Sequence, residues 1–129
     1  MTKQETFDFV VKAIVEQGRP AVDQFGNCEY RTADGRKCAA GHLIPDDQYQ
    51  PSLEGWSVGT ESVPESKRLR DIITAAGHDA DLVSALQSAH DQSASEERHG
   101  AGDFMPMFLE RAKSVAVRHG LTVGEQPSV

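Results

Sequence analysis

Cys28, Cys38 and His42 are the residues whose types and spacing most directly suggest chemistry. All three lie in the unit Cys28–Asp47, which also holds an Asp34-Gly35 turn signal and a Pro45-Asp46-Asp47 stop. Read as metal ligands, they form C-x9-C-x3-H, a set that His78, His90 or His99 could complete with zinc as the ion. Structural zinc sites usually draw paired ligands about two to four residues apart from one tight turn. A nine-residue gap lacks that advantage, and two buried thiols are the plainer alternative. Read as a nucleophile, Cys38 sits where a strand gives way to Ala39–Ile44. If that stretch is helical, its N-terminal dipole would favour a thiolate. His90 would then serve as base, with Asp91 or Gln87 in support. The chemistry would be acyl transfer such as amide hydrolysis or deamidation. Gln87, His90 and Asp91 read equally well as the polar flank of an amphipathic helix.

A third reading needs no reaction. Trp56 is the only tryptophan and falls in a Pro-, Gly- and Ser-rich stretch, residues 50–66. An aromatic on such a loop can anchor a protein interface, or it can fold down with Leu53 to cover the hairpin. Tyr30, Arg31, Asp46 and Asp47 extend the same candidate contact surface. The acidic pairs Asp46-Asp47 and Glu96-Glu97 could steer a basic partner. His99 reads as a loop residue, and His119 as a cap on the last helix.

The elements that must position these residues are mostly helical. Thr2 and Glu5 form a capping box, and Phe7, Val10, Val11 and Ile14 give a helix to about Gln17, stopped at Gly18. Residues 18–27 connect to a β-hairpin whose arms are Cys28–Thr32 and Arg36–Ala40. A two-residue turn would put Cys28 and Cys38 on opposite faces. A three-residue loop, Ala33-Asp34-Gly35, would set Tyr30 opposite Cys38 with Cys28 on the same face. Three further helices are expected, at about Glu65–Ala76, Asp79–Gln92 and Asp103–His119. Residues 121–129 read as a flexible tail, and no internal repeat is evident. The expectation is one α+β domain over residues 1–120, mostly helical, with one small hairpin.

At 129 residues the chain can bury a real core,. Thirteen Lys and Arg against twenty Asp and Glu give a net charge of −7, which opposes binding to phosphate backbones and anionic membranes. Residues 67–92 imitate a helix-turn-helix, but the would-be recognition helix, Asp79–Gln92, carries Asp79, Asp81 and Asp91 and no Lys or Arg. DNA reading through it is rejected. No phosphate-binding glycine loop is present. No apolar run reaches the ~18 residues of a membrane span, and the N-terminus has no apolar signal core. A cytoplasmic protein is expected, and a structural disulfide is not.

Written out, Cys28-x-Tyr30-Arg31, Gly35-x-x-Cys38-Ala39-x-Gly41-x-Leu43-Ile44-Pro45-Asp46 and Glu54-Gly55, with Leu86-Gln87-x-x-His90-Asp91, is a recognisable pattern. It resembles a group of small, uncharacterised proteins of bacteria and their phages, most clearly over about residues 18–55. The resemblance transfers no catalytic residues. It implies an accessory protein of a mobile element, such as a regulator or an inhibitor. It also implies that Cys28, Tyr30, Arg31, Cys38, Gln87, His90 and Asp91 form one cluster. The reading that follows is a small acidic protein acting by protein–protein binding. The alternatives are a Cys38/His90 enzyme and a zinc module.

Overall fold

A computed structural model describes residues 1–58 and 63–123. Its frame is four helices: α1 Lys3–Gln17, α2 Pro64–Ala75, α3 Ala80–Arg98 and α4 Phe104–Arg118. α1 begins at the capping box expected from Thr2 and Glu5, and the Gly18 N–H closes it on the Ile14 carbonyl at 3.0 Å. α3 begins where the Asp79 carboxylate accepts from the Leu82 N–H at 2.9 Å. It runs six residues past the expected Gln92 end, to Arg98. Ser93 and Ala94 are buried there, continuing the inward stripe of Leu86, Ala89 and His90. Small side chains let α4 pack close, and Arg111 ties the seam by donating to Ser93 (3.0 Å) and pairing with Glu96 (2.6 Å).

The core joins Phe7, Val10 and Ile14 of α1, Leu69 and Ile73 of α2, Leu82 and Leu86 of α3, and Phe104 and Phe108 of α4. Leu53 and Val58, on either side of Trp56, are buried in it as well. Part of the expected 50–66 loop (59–62) and of the expected tail (124–129) lies outside the described residues. Before that boundary, Thr122 and the Gln4 side chain exchange two 2.9 Å hydrogen bonds, drawing the chain after α4 back to α1.

The expected β-hairpin does not form, and the fold is mainly helical rather than α+β. Between α1 and α2, the described residues make only two isolated antiparallel bridges, Val22 with Cys28 and Arg31 with Lys37. The backbone bonds a hairpin needs are spent elsewhere. Continuing the ladder past Arg31 and Lys37 would require the Tyr30 N–H to reach the Cys38 carbonyl. Instead, the Tyr30 N–H donates to Glu54 at 2.7 Å, and the Cys38 carbonyl accepts from the His42 N–H at 3.1 Å as the chain curls into a 3₁₀ turn over Ala40–His42. On the other arm, the Gln17 side chain takes both backbone groups of Lys37, at 2.8 and 2.9 Å. The register that survives is that of the three-residue loop. Arg31 faces Lys37, and the Cys38 N–H points at the Tyr30 carbonyl.

The two bridges close two turns of one design, nine residues apart, although no repeat was expected. In each, the first residue (Asp23, Thr32) donates its N–H to the fifth carbonyl (Asn27, Arg36) at 2.9 Å. Its side-chain oxygen accepts the fifth N–H at 2.9 Å. The fourth residue is Gly26 or Gly35, with φ of 83° or 89°, a left-handed conformation that favours glycine.

Candidate functional site: a cleft over a hydrogen-bonded clamp

Residues 18–44 have little regular structure and must be held in place by side chains. α3 supplies them from one flank. The Gln87 Oε1 accepts from the Ala40 N–H at 2.9 Å, and its Nε2 donates to Asp91 at 2.8 Å. The His90 Nε2 accepts from the Ala21 N–H at 3.1 Å, and its Nδ1 lies 2.9 Å from Asp91. The Cys28 sulfur lies within 4.8 Å of the Asp91 carboxylate. The cluster implied by the resemblance is therefore brought together at its α3 end. The loop hangs from Gln87, His90 and Asp91, at i, i+3 and i+4 along one helix edge,.

Two smaller knots complete the clamp. The Glu54 carboxylate accepts from the Tyr30 N–H (2.7 Å), the Arg31 N–H (3.1 Å) and the Tyr49 hydroxyl (2.6 Å). Arg31 donates to the Ile44 carbonyl and pairs with Asp46, both at 2.8 Å, while its guanidinium lies 4.7 Å from the Tyr49 ring centre. Tyr30 and Arg31 thus serve this scaffold, and Asp46 meets it through its carboxylate. Asp47 is exposed. Gly41 is required by close approach, since a Cβ there would lie 2.0 Å from the Tyr30 carbonyl oxygen.

The geometry tells against each form of catalysis considered from the sequence. A backbone N–H can only donate, so the Ala21 contact leaves no proton on His90 Nε2 and places it on Nδ1, facing Asp91. The nitrogen a general base would use is already capped. His90 is fully buried, with its ring edge against Phe104 at 5.4 Å between centres. Cys38 is fully buried too, and its sulfur accepts from the Gly41 N–H at 3.4 Å. Burial pushes its thiol pKa upward. Cys28 is half-buried and closer to the cleft; burial, then the Asp91 charge, pushes its thiol up to about 12. Neither cysteine sits where a thiolate is favoured.

For metal, the described residues bring together Cys28, His90 and Asp91, whose ligand atoms lie within 4.8 Å of one another. This is not the expected set of Cys28, Cys38 and His42. His78 instead meets the Thr6 hydroxyl at 2.8 Å, and His99 the Ser95 carbonyl at 2.7 Å. The Cys28 group has a ligand's chemistry but not its protonation. The His90 Nδ1 that faces it carries the proton, because Ala21 fixes the other nitrogen as acceptor. His42 stands apart with a buried, unpartnered Nε2. Burial first, then Lys37, holds its pKa down to about 4.

Above the clamp lies a cleft of about 240 Å³ between the loop and α3. Cys28, Glu29 and Tyr30 form one wall, Ser84, Ser88 and Asp91 of α3 the other, and Trp56 stands at its rim. Trp56 is 41% exposed although its neighbours are anchored. Leu53 and Val58 are buried, and the Tyr30 hydroxyl donates to the Trp56 carbonyl. Sequence reasoning missed Glu54, Ala21, Ser84 and Ser88. Only Glu54 carried a signal, as part of the Glu54-Gly55 pair on which the expected resemblance draws. No described helix is long and apolar enough to cross a membrane. Comparison with family models, curated proteins and solved structures gives no match.

Proposed function

We propose that this chain is a small, acidic, cytoplasmic accessory protein that works by binding another protein, as a regulator or inhibitor of the phage or mobile-element kind. The contact surface runs from the Cys28–Asp47 unit to Trp56. The observation that carries this reading is the half-exposed Trp56, on a backbone pinned by Tyr30, at the edge of an open cleft. A large aromatic held out of the core at low entropic cost makes an efficient anchor. The polar groups beneath it are engaged in hydrogen bonds, which favours binding over turnover. The resemblance to small bacterial and phage proteins supports the accessory role.

The test is a pull-down from host lysate with wild type and Trp56→Ala in parallel. Because Trp56 makes no side-chain hydrogen bond among the described residues, the variant should keep its melting temperature while losing at least one partner that wild type recovers. Unchanged recovery would remove Trp56 as the anchor.

A further inference from the structure

Glu29 lines the Trp56 cleft and also a second cleft, of about 390 Å³, between the two glycine turns. The second cleft is walled by Asp23, Phe25, Asp34 and Arg36. Phe25, at the tip of the first turn, is 66% exposed. An exposed aromatic therefore stands beside each cleft, with one carboxylate shared between them.

The charges of this face are unevenly matched. Arg36 is fully committed, donating to the Pro20 carbonyl (2.6 Å), the Val22 carbonyl (3.1 Å) and Asp34 (3.0 Å). Asp23 is occupied by the Phe25 and Asn27 N–H groups of its own turn, at 2.8 and 2.9 Å. Asp91 meets the Gln87 amide and His90 Nδ1, and no Lys or Arg pairs with it among the described residues. The Glu29 carboxylate has no hydrogen bond or ion pair among the described residues, and burial and the charges of Glu54 and Asp23 raise its pKa. Among the described residues, no cation lines the Trp56 cleft.

Resting on the proposed binding role, we infer that the partner presents an extended, arginine- or lysine-bearing segment across Trp56, Glu29 and Phe25, its cationic side chain pairing with Glu29. A guanidinium or ammonium entering there relieves like-charge repulsion and can lie on the Trp56 ring. The net charge of −7 speeds encounter with such a segment,.

The sole tryptophan makes the test direct, because tryptophan emission, excited selectively over tyrosine, reports only Trp56. The protein is titrated with a hexa-arginine peptide, a hexa-glutamate peptide and spermidine. A saturable change with hexa-arginine alone is expected. Glu29→Gln, which removes no hydrogen bond among the described residues, should weaken it about tenfold. Glu110→Gln on α4, outside both clefts, should change it less than about twofold. Equal weakening by Glu110→Gln would show general charge attraction, and spermidine matching the peptide would show a polyamine site. Either result overturns the inference, as does no saturable change up to ~1 mM peptide. If those failures occur while Trp56→Ala still abolishes partner capture, the binding role stands and only the basic segment falls. If capture does not depend on Trp56, the underlying reading falls.

Discussion

A thiol attacks or ligates as the thiolate, so what matters at Cys28 and Cys38 is where a negative charge could rest. At Cys38 it would lie in the core. At Cys28 it would lie half-buried beside Asp91, and burial first, then that charge, pushes the thiol up to about 12. Native protein treated with iodoacetamide from pH 6 to 10 should therefore show no fast thiol and no plateau, and Cys38 should be modified only after denaturation. A fast thiol near neutral pH would return Cys38 or Cys28 to catalysis. His42 gives a second residue-level prediction. Its pKa of about 4 in the fold lies below its ordinary 6.5, with burial as the main cause and the Lys37 charge adding to it. Between those values the unfolded chain binds a proton that the folded chain refuses. Stability should fall as pH drops from about 6.5 to about 4 and lose nothing further from His42 below that. His78, also shifted downward, acts in the same direction. Asp34, held down to about 2 by Thr32 and then Arg36, extends the loss to lower pH. Urea titrations of wild type and His42→Phe across this window would read the effect. A wild-type curve no steeper than that of His42→Phe would contradict it.

The elements differ in how they carry their instructions. The helices were legible because capping boxes, glycine stops and apolar periodicity are local signals, and Thr2, Asp79, Gly18 and Gly77 act as those rules describe. The hairpin was not legible. Asp34-Gly35 does make its turn, but the Tyr30 N–H and the Cys38 carbonyl find partners in Glu54 and His42, and Glu54 is a residue no strand pattern points to. The cluster of Cys28, Gln87, His90 and Asp91 was legible as a pattern but not as a purpose, because the backbone of Ala21 and Ala40 decides what those side chains do. The same close docking yields an element-level prediction. Gly41→Ala forces a methyl group against the Tyr30 carbonyl and should cost about 1–3 kcal/mol. Gly35→Ala would strain only a turn in open space. Denaturant midpoints should rank Gly41→Ala as the more damaging of the two, and equal effects would mean the loop can move off α3.

For the molecule as a whole, a 40-residue stretch from Gly18 to Ser57, with only short 3₁₀ turns and isolated bridges, is held to a helical frame by largely part-buried polar contacts and by core side chains such as Leu43, Ile44 and Leu53. Such contacts cost more to break than they contribute when intact. They give the loop one conformation and present Trp56, Glu29 and Phe25 on a fixed surface. That arrangement requires His90 to hold the Ala21 backbone through Nε2. Its most direct test is the long-range ¹H–¹⁵N spectrum of the histidine rings at neutral pH, which reports which nitrogen carries the proton. The expected result is His90 protonated on Nδ1 and bare at Nε2, with the Ala21 amide as its donor. A ring protonated on Nε2, with bare Nδ1 turned toward Cys28 and Asp91, is the form a metal ligand or a base facing that thiol would need, and it would contradict the clamp.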